Sequence, residues 1–404
     1  MTIMTRQITE AEILASRITQ LVRKYDEANN VGVEASEVVR SISATCTELN
    51  ALISTPESWV ERIALSYNGS AAICILLDLD IFRLLSKNGG RCALKEVVAQ
   101  HILDQPSLEV YKLNNRSGYL LNENSASWAH YLADVGLQAA ASLPQYVRDN
   151  RGQIVEGQHR NAFQMAFDNR AQGFLKDAAL KWPADEPFYQ YLRASHPLRS
   201  ERFDKGLQRH VAGAAQTSIE DVFDFTSLKP GNVVVDIGGG RGQHSIRIAK
   251  RNPQLSFIIQ DYESAFPSKE DVNDEGVYRR LQWQQHDYFT EQPVKGADIY
   301  MLCNILMDNS ASDCRRILEG IAEAMTPKES VLLIDDGIEL VNSHQFHSCY
   351  GSSMNMHMLA VLGTLFRTRE QWEVLFSQIP GKLEVTGCWP VDGGRVIFEL
   401  RRMA

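Results

Sequence analysis

The sequence predicts an α/β protein, with a mostly helical N-terminal region followed by a mainly parallel sheet that carries helices on both faces. Three observations lead there. From about residue 230, short β-rich runs alternate with helix-like stretches. Before about residue 190, apolar residues recur at helical spacing. Between the first β-rich run and the helix after it lies a glycine-rich turn, "VVVDIGGGRGQHS".

In the N-terminal region, "ITEAEILASRITQLVRKYDEA" places Leu14, Ile18, Leu21 and Val22 on one helical face, the pattern of an amphipathic helix. "SEVVRSISATCTELNALIS" repeats it behind Ser36, which the spacing makes a cap. "SGYLLNENSASWAHYLADVGLQAAASLPQYV" reads as two further helices, with Pro144 marking a break. Long apolar helices here are consistent with a dimer interface, and a single-chain core explains them nearly as well.

The β-rich runs are "NVVVDI", "LSFIIQ", "LQWQQHDYF", "ADIYML", "SVLLID", "LEVTGCW" and "RVIFELR". Strands that alternate with helices build a parallel sheet covered on both faces. The last two are joined only by "PVDGG", a hairpin-sized connection that predicts an antiparallel edge. The boundary between the two domains falls around "FYQYLRASHPLRSERF", giving domains of 1–190 and 191–404.

Bulk properties exclude several functions. The chain has 404 residues, 44% of them hydrophobic, enough for two domains with cores. Its net charge of −9 and lack of basic runs argue against nucleic acid and anionic membrane surfaces. Charges interrupt the N-terminus before a signal-peptide core forms, and the longest apolar run, "SAAICILLDLDIF", contains Asp78 and Asp80. Seven cysteines without a C-x-x-C pair are expected to be free thiols in a reducing, cytoplasmic setting. His344 and His347 have helical spacing, but no cysteine or carboxylate pattern completes them, so no metal is expected.

Gly238, Gly239, Gly240 and Gly242 allow a sharp turn and let a ligand lie against bare peptide. Asp261 ends the next strand, where a carboxylate can accept both hydroxyls of a ribose; Asp287 and Tyr288 follow the third strand, where they can meet an adenine. A dinucleotide loop needs a third glycine where this chain has Gln243. The loop therefore suits a nucleoside ligand without a pyrophosphate, S-adenosylmethionine.

With "VDIGGGRG" and "IIQDYE", then "HDYFTEQPVKGADIYML", "ILMDNSASDCRRIL", "VLLIDD" and "NMHMLAVLGTLFRTREQWEVLF", the chain resembles the plant- and fungal-type O-methyltransferases over nearly its whole length. The resemblance implies a doubly wound, seven-stranded, Rossmann-like methyltransferase sheet and an N-terminal helical dimerisation region with a partial winged helix, hence a homodimer. It also implies bound S-adenosylmethionine lined by Gly238, Gly239, Gly240, Asp261, Tyr262, Asp287, Tyr288 and Cys303, and a substrate pocket near Met354, His357 and Met358.

That family carries a catalytic histidine, followed by aspartate, at the position where this chain has Met307 and then Asp308. A thioether neither takes nor gives a proton, whereas methyl transfer to oxygen needs a base worth about 10²–10⁴-fold. The chain is similar in this respect to a subgroup of the family, the pericyclases of fungal 2-pyridone alkaloid biosynthesis, which hold the cofactor without consuming it. That likeness implies dehydration of a pyridone alcohol to a quinone methide and its cyclisation, by a hetero-Diels–Alder route in preference to an Alder-ene one. Proton handling then falls to His130, in "SASWAHYL", and substrate binding to Arg202 in preference to Arg199, with Met307 shaping the pocket and Asp308, which in the family orients the histidine or packs nearby, counted with them among the catalytic residues. An active O-methyltransferase using His357 or His130 as base, and a non-catalytic cofactor-binding protein, are the alternatives.

Overall fold

The computed structural model describes residues 3–29, 35–53, 66–78, 80–87, 104–107, 110–157, 160–167, 187–212, 217–267, 272, 274–338, 346–381, 383–391 and 394–403. The chain forms two compact units, residues 1–71 with 340–354, and residues 72–339 with 355–404. In the first, helices Ile3–Asn29 and Ala35–Ile53 pack against each other. Ser36 therefore lies inside the first turn of its helix instead of preceding it.

The second unit opens with most of helix Tyr67–Asp78, followed by helix Ile81–Lys87 and a two-stranded hairpin, β1 (Asp104–Ser107) and β2 (Val110–Lys112), then becomes helical again. Pro144 does not break the chain: it sits inside helix Leu137–Asp149. Its ring cannot donate to the carbonyl of Ala140, a residue that is exposed to solvent. The irregularity lies upstream, where Leu132–Gly136 widens to a π-helical turn. Helices Glu123–Tyr131 and Pro197–Ala212 pack on each other.

All seven β-rich runs become strands of one sheet: β3 (Val233–Ile237), β4 (Ser256–Asp261), β5 (Leu281–Gln285), β6 (Ile299–Cys303), β7 (Val331–Gly337), β8 (Leu383–Val391) and β9 (Arg395–Arg402). Their order is β5-β4-β3-β6-β7-β9-β8. The first five pair in parallel, and β9 runs antiparallel to both β7 and β8. β5 stops at Gln285 because Asp287 turns the chain: its carboxylate accepts from Phe289 N at 3.0 Å and its carbonyl from Thr290 N at 2.9 Å.

Strands buried on both faces read as unbroken apolar runs, and alternate residues of β3, β6 and β7 feed two cores. On one face Val235, Ile237, Tyr300, Leu302, Leu332 and Ile334 meet Ile317, Leu318, Trp372 and Phe376 from helices Ala311–Ala324 and Arg369–Ser377. On the other, Val234, Ile299, Met301 and Leu333 meet Ile248 and Ala249 of helix Gln243–Arg251. The strand order reverses beside β3: the chain steps outward through β4 and β5, then returns to β6 on β3's other side. Connections leaving the carboxyl ends of β3 and β6 therefore diverge, and an open α/β sheet binds its ligand in that crevice.

Candidate functional site

The crevice begins at the glycine turn. Gly238, Gly240 and Gly242 have φ of +69°, +56° and +77°, a region that side chains disfavour. Space is short as well: a Cβ on Gly238 would come within 2.4 Å of Ile305 Cδ1, and one on Gly239 within 2.6 Å of Asp236 Cγ. The turn is tied to β4, since Gly240 N donates to Asp261 Oδ2 at 2.8 Å and Tyr262 N to Asp261 Oδ1 at 2.7 Å. Each carboxylate oxygen keeps a further lone pair for a ligand hydroxyl. Burial raises the Asp261 pKa, and the two backbone N–H groups oppose that. Asp236, beneath the turn, accepts from Ser245 Oγ at 2.7 Å, while its Oδ1 is a buried acceptor with no donor on it. Bare turn, ribose-height carboxylate and free buried acceptor are a donor and acceptor set that fits a nucleoside carrying an ammonium group.

The second wall is the turn after β6. Asn304 takes φ +58°, and Leu306–Asp308 form a single 3-10 turn. Its N–H groups are held by Asp336 at the end of β7, which accepts from Leu306 N at 2.9 Å and Met307 N at 3.2 Å. Its carbonyls are held by Arg367, which donates to Leu306 O at 3.0 Å and Asn309 O at 2.7 Å and lies over the Trp372 ring. Both clamping groups are buried. Thr364 Oγ1 donates to Met307 O at 2.8 Å, so every backbone polar group of residue 307 is committed.

That turn presents Asp308 to a group of aromatic side chains. The Tyr189 hydroxyl donates to Asp308 Oδ2. Asp308 is buried, and desolvation pushes its pKa up to about 7, the Tyr189 hydrogen bond opposing the rise. A carboxyl in that range can hold or release a proton at neutral pH. Tyr131 OH lies 3.1 Å from His357 Nε2, with the two rings edge to face. Burial drives the His357 pKa down to about 4, so its imidazole is neutral. Gly136 makes room for that ring, since a Cβ there would stand 3.1 Å from His357 Cε1. Phe188 and Phe203 pack around Tyr131 and Tyr189.

His130 and Arg202 meet: Arg202 Nη1 lies 3.2 Å from His130 Nδ1. Arg199 is otherwise engaged, in a two-point pair with Asp134 at 2.7 and 2.8 Å and with Tyr191 OH. His130 Nε2 is 2.7 Å from Asp78 Oδ1.

Of the residues singled out from the sequence, Gly238, Gly239, Gly240, Asp261, Tyr288 and Cys303 gather at the carboxyl ends of β3, β4 and β6, with Tyr262 and Asp287 exposed beside them. His357 stands in the aromatic group and Met358 is buried behind it. Met354 is half-buried in the other unit. Met356, between Met354 and Met358 in sequence, is 54% exposed. Of the histidine pair at 344 and 347, His344 lies outside the described residues. Tyr189, Tyr131, Asp336 and Arg367 were not anticipated. The first two lie far from their partners in sequence, and the last two read as an ordinary strand end and part of an R-T-x-x-x-W turn.

Residues 183–379 match the O-methyltransferase domain family. Over 99% of its length the chain is 49% identical to the N-methyltransferase nanE of Aspergillus nanangensis, the whole of which it covers. It is also 29% identical, over 91% of its length and 87% of the relative's, to the O-methyltransferase xanE of Aspergillus fumigatus. Among solved structures it superposes on LepI in complex with SAM (TM-score 0.75, 21% identity, covering 98% of this chain and 100% of that one). It superposes likewise on OxaC (TM-score 0.77, 17% identity, covering 98% and 99%), a likeness of fold. The fold and crevice thus define an enzyme on a methyltransferase scaffold whose cofactor is S-adenosylmethionine. The chain belongs to the family of methyltransferases that includes nanE, and its residues 183–379 match that family's O-methyltransferase domain.

Two expectations follow. Arg367→Ala strips two buried carbonyls of a charged donor, at about 1.5–3 kcal/mol each; urea unfolding should show a loss of about 3 kcal/mol or more, and an unchanged midpoint would mean that the turn holds itself. The Asp308 carboxyl, with a pKa of about 7 folded and about 3.9 unfolded, binds its proton more tightly in the folded chain. It therefore stabilises the fold fully below about pH 3.9, and this contribution is lost as pH rises through about 7. The unfolding free energy of the wild type minus that of Asp308→Asn should fall across that window, by an amount on the order of 4 kcal/mol. A flat difference would show that Asp308 titrates as an ordinary carboxyl.

Proposed function

We propose that the chain methylates a nitrogen atom of a small aromatic secondary metabolite. One observation carries the reading: at the turn after β6 a thioether stands where an imidazole base serves oxygen acceptors, and the adjacent buried carboxyl has a pKa near 7. An oxygen acceptor must lose its proton as the new bond forms. A neutral nitrogen attacks through its own lone pair and sheds its proton afterwards, so a base of moderate strength suffices. Asp308 has that strength, and Tyr189 orients it. The 49% identical relative is named an N-methyltransferase, which supports the same assignment.

In this reading Gly238, Gly239 and Gly240 line the cofactor, Asp261 accepts its ribose hydroxyls, Tyr262, Asp287 and Tyr288 flank its base, and Cys303 closes the floor. S-adenosylmethionine supplies an electrophilic methyl group on a sulfonium. Asp308 collects the proton from the substrate nitrogen, and Met307 keeps a second ionisable group away from the cation. His357, neutral at working pH, and Tyr131 offer a polar edge to the substrate, while Phe188 and Phe203 exclude water from it.

A second reading is favoured by the contact between His130 and Arg202, the pair the pericyclase likeness selects. There the chain would dehydrate a 2-pyridone alcohol and direct its cyclisation with the cofactor unspent, the sulfonium acting as a fixed charge.

Incubation with S-adenosylmethionine and candidate nitrogen heterocycles, followed by mass analysis of product and cofactor, separates the two. N-methylation predicts one S-adenosylhomocysteine per product and a product heavier by one methyl group. A cyclised product of the mass of its dehydrated precursor, with the cofactor recovered intact, establishes the second reading instead. Under the first, Asp308→Asn should lower kcat, by less than the roughly 10²–10⁴-fold that a base acting in the transition state contributes, and abolish the limb of the pH profile near 7.

A further inference from the structure

Away from Asp308, three side chains from two helices converge. Cys74 and Asp78 lie four residues apart, on one face of helix Tyr67–Asp78, and His130 comes from the last turn of Glu123–Tyr131. Their donor atoms lie within 4.8 Å of one another, and no other such group of three occurs among the described residues. Cys74 Sγ is 4.0 Å from His130 Nε2 and 3.8 Å from Asp78 Oδ2, and His130 Nε2 is 2.7 Å from Asp78 Oδ1.

We propose that Cys74, Asp78 and His130 form a binding site for one divalent cation of the zinc class, with its fourth position left to solvent. A thiolate, an imidazole and a carboxylate suit zinc or cobalt and poorly suit magnesium or calcium, which demand oxygen. Ordinary bond lengths place tetrahedral zinc ligands about 3.3 Å apart for N and O and about 3.5 Å for S and N. The Nε2–Oδ1 pair at 2.7 Å must open and the Sγ–Nε2 pair at 4.0 Å must close, each by well under an ångström. The Asp78 side chain, 53% exposed, has room to make that adjustment. The imidazole is buried and held in place, so the site is already oriented on its most rigid member.

Proton accounting brings in a fourth residue. A guanidinium only donates, so Arg202 at 3.2 Å makes His130 Nδ1 an acceptor and leaves the ring proton on Nε2, where it faces Asp78. A metal on Nε2 requires that proton to move to Nδ1 and the thiol proton to leave for solvent. Arg202 then faces an N–H and must swing aside, toward Asp78, from whose Oδ1 its Nη2 is already only 3.6 Å. Arg202 thus competes with the cation for the same imidazole. Burial and the Asp78 charge hold the Cys74 thiol above its usual range, an effect that a bound cation reverses. The site shares no residue with the nitrogen-methylating machinery proposed above, which leaves His130 and Arg202 unused.

The test uses the full-length, tag-free chain stripped with a chelator and dialysed against zinc, with elemental analysis of the bound metal and a parallel titration with cobalt. One zinc per chain is expected, and cobalt should give the intense near-ultraviolet band of a cobalt–thiolate bond. Cys74→Ser, Asp78→Asn and His130→Gln should each weaken zinc binding at least tenfold, with circular dichroism confirming that each variant folds. Arg202→Gln should tighten it several-fold, a change opposite in sign to what general damage to this cluster would produce. Equal zinc content in the wild type and the triple variant, a cobalt complex without the thiolate band, or weaker binding by Arg202→Gln would each overturn the proposal.

Discussion

Two buried side chains, the carboxyl of Asp336 and the guanidinium of Arg367, grip the 3-10 turn after β6 from its two sides, and the placing of Met307 and Asp308 depends on that grip. A short turn leaves N–H groups pointing one way and carbonyls the other, and here both sets are out of reach of water. Unpaired, each would cost about 1–3 kcal/mol. An acceptor on one side, Asp336, and a guanidinium on the other, Arg367, remove that penalty and fix the turn in one position. Asp336 is itself brought there by β7, the strand beside β6, and Arg367 by the segment leading into helix Arg369–Ser377. The register of two strands and the start of one helix therefore decide where residues 307 and 308 stand.

Position and acidity are linked. The clamp holds Asp308 inward, where desolvation lifts its pKa to about 7, and the single hydroxyl of Tyr189 returns only part of the lost hydration. Met307, its neighbour, is half-buried and carries no charge. Had residue 307 been cationic, it would have stabilised the carboxylate beside it and drawn that pKa down. The thioether thus removes one base and, by the same substitution, leaves the adjacent carboxyl able to act as a weaker one.

The sheet was legible because strands buried on both faces are mostly apolar, and β3, β6 and β7 are, apart from the aspartates Asp236, Asp335 and Asp336 near their carboxyl ends. The glycine turn was legible because positive φ at Gly238, Gly240 and Gly242 restricts the residue type. The partners of the reactive turn were hidden for the opposite reason. Tyr189 lies 119 residues from Asp308 and Tyr131 lies 226 from His357, so nothing local ties either pair together. Arg367 could be read as part of a motif but not as a donor to carbonyls about 60 residues away. Pro144 misled because a proline inside a helix is tolerated when the residue whose carbonyl it deprives is exposed, and sequence does not report exposure.

What the scaffold does with its sulfonium turns on the charge of Asp308 when substrate binds. A neutral carboxyl can donate a hydrogen bond but cannot take a proton, and then a fixed cation beside a folded substrate acts only as an electrostatic guide. An ionised carboxylate next to a nitrogen acceptor makes proton loss after attack downhill, and the methyl group is then spent. Near a pKa of 7 both states are populated, and the substrate chooses: a basic nitrogen surrenders its proton to Asp308, while a neutral carbonyl leaves Asp308 to solvent pH. The same turn can therefore serve either chemistry, and the nitrogen reading is preferred because only it gives Tyr189 and Asp308 a joint task.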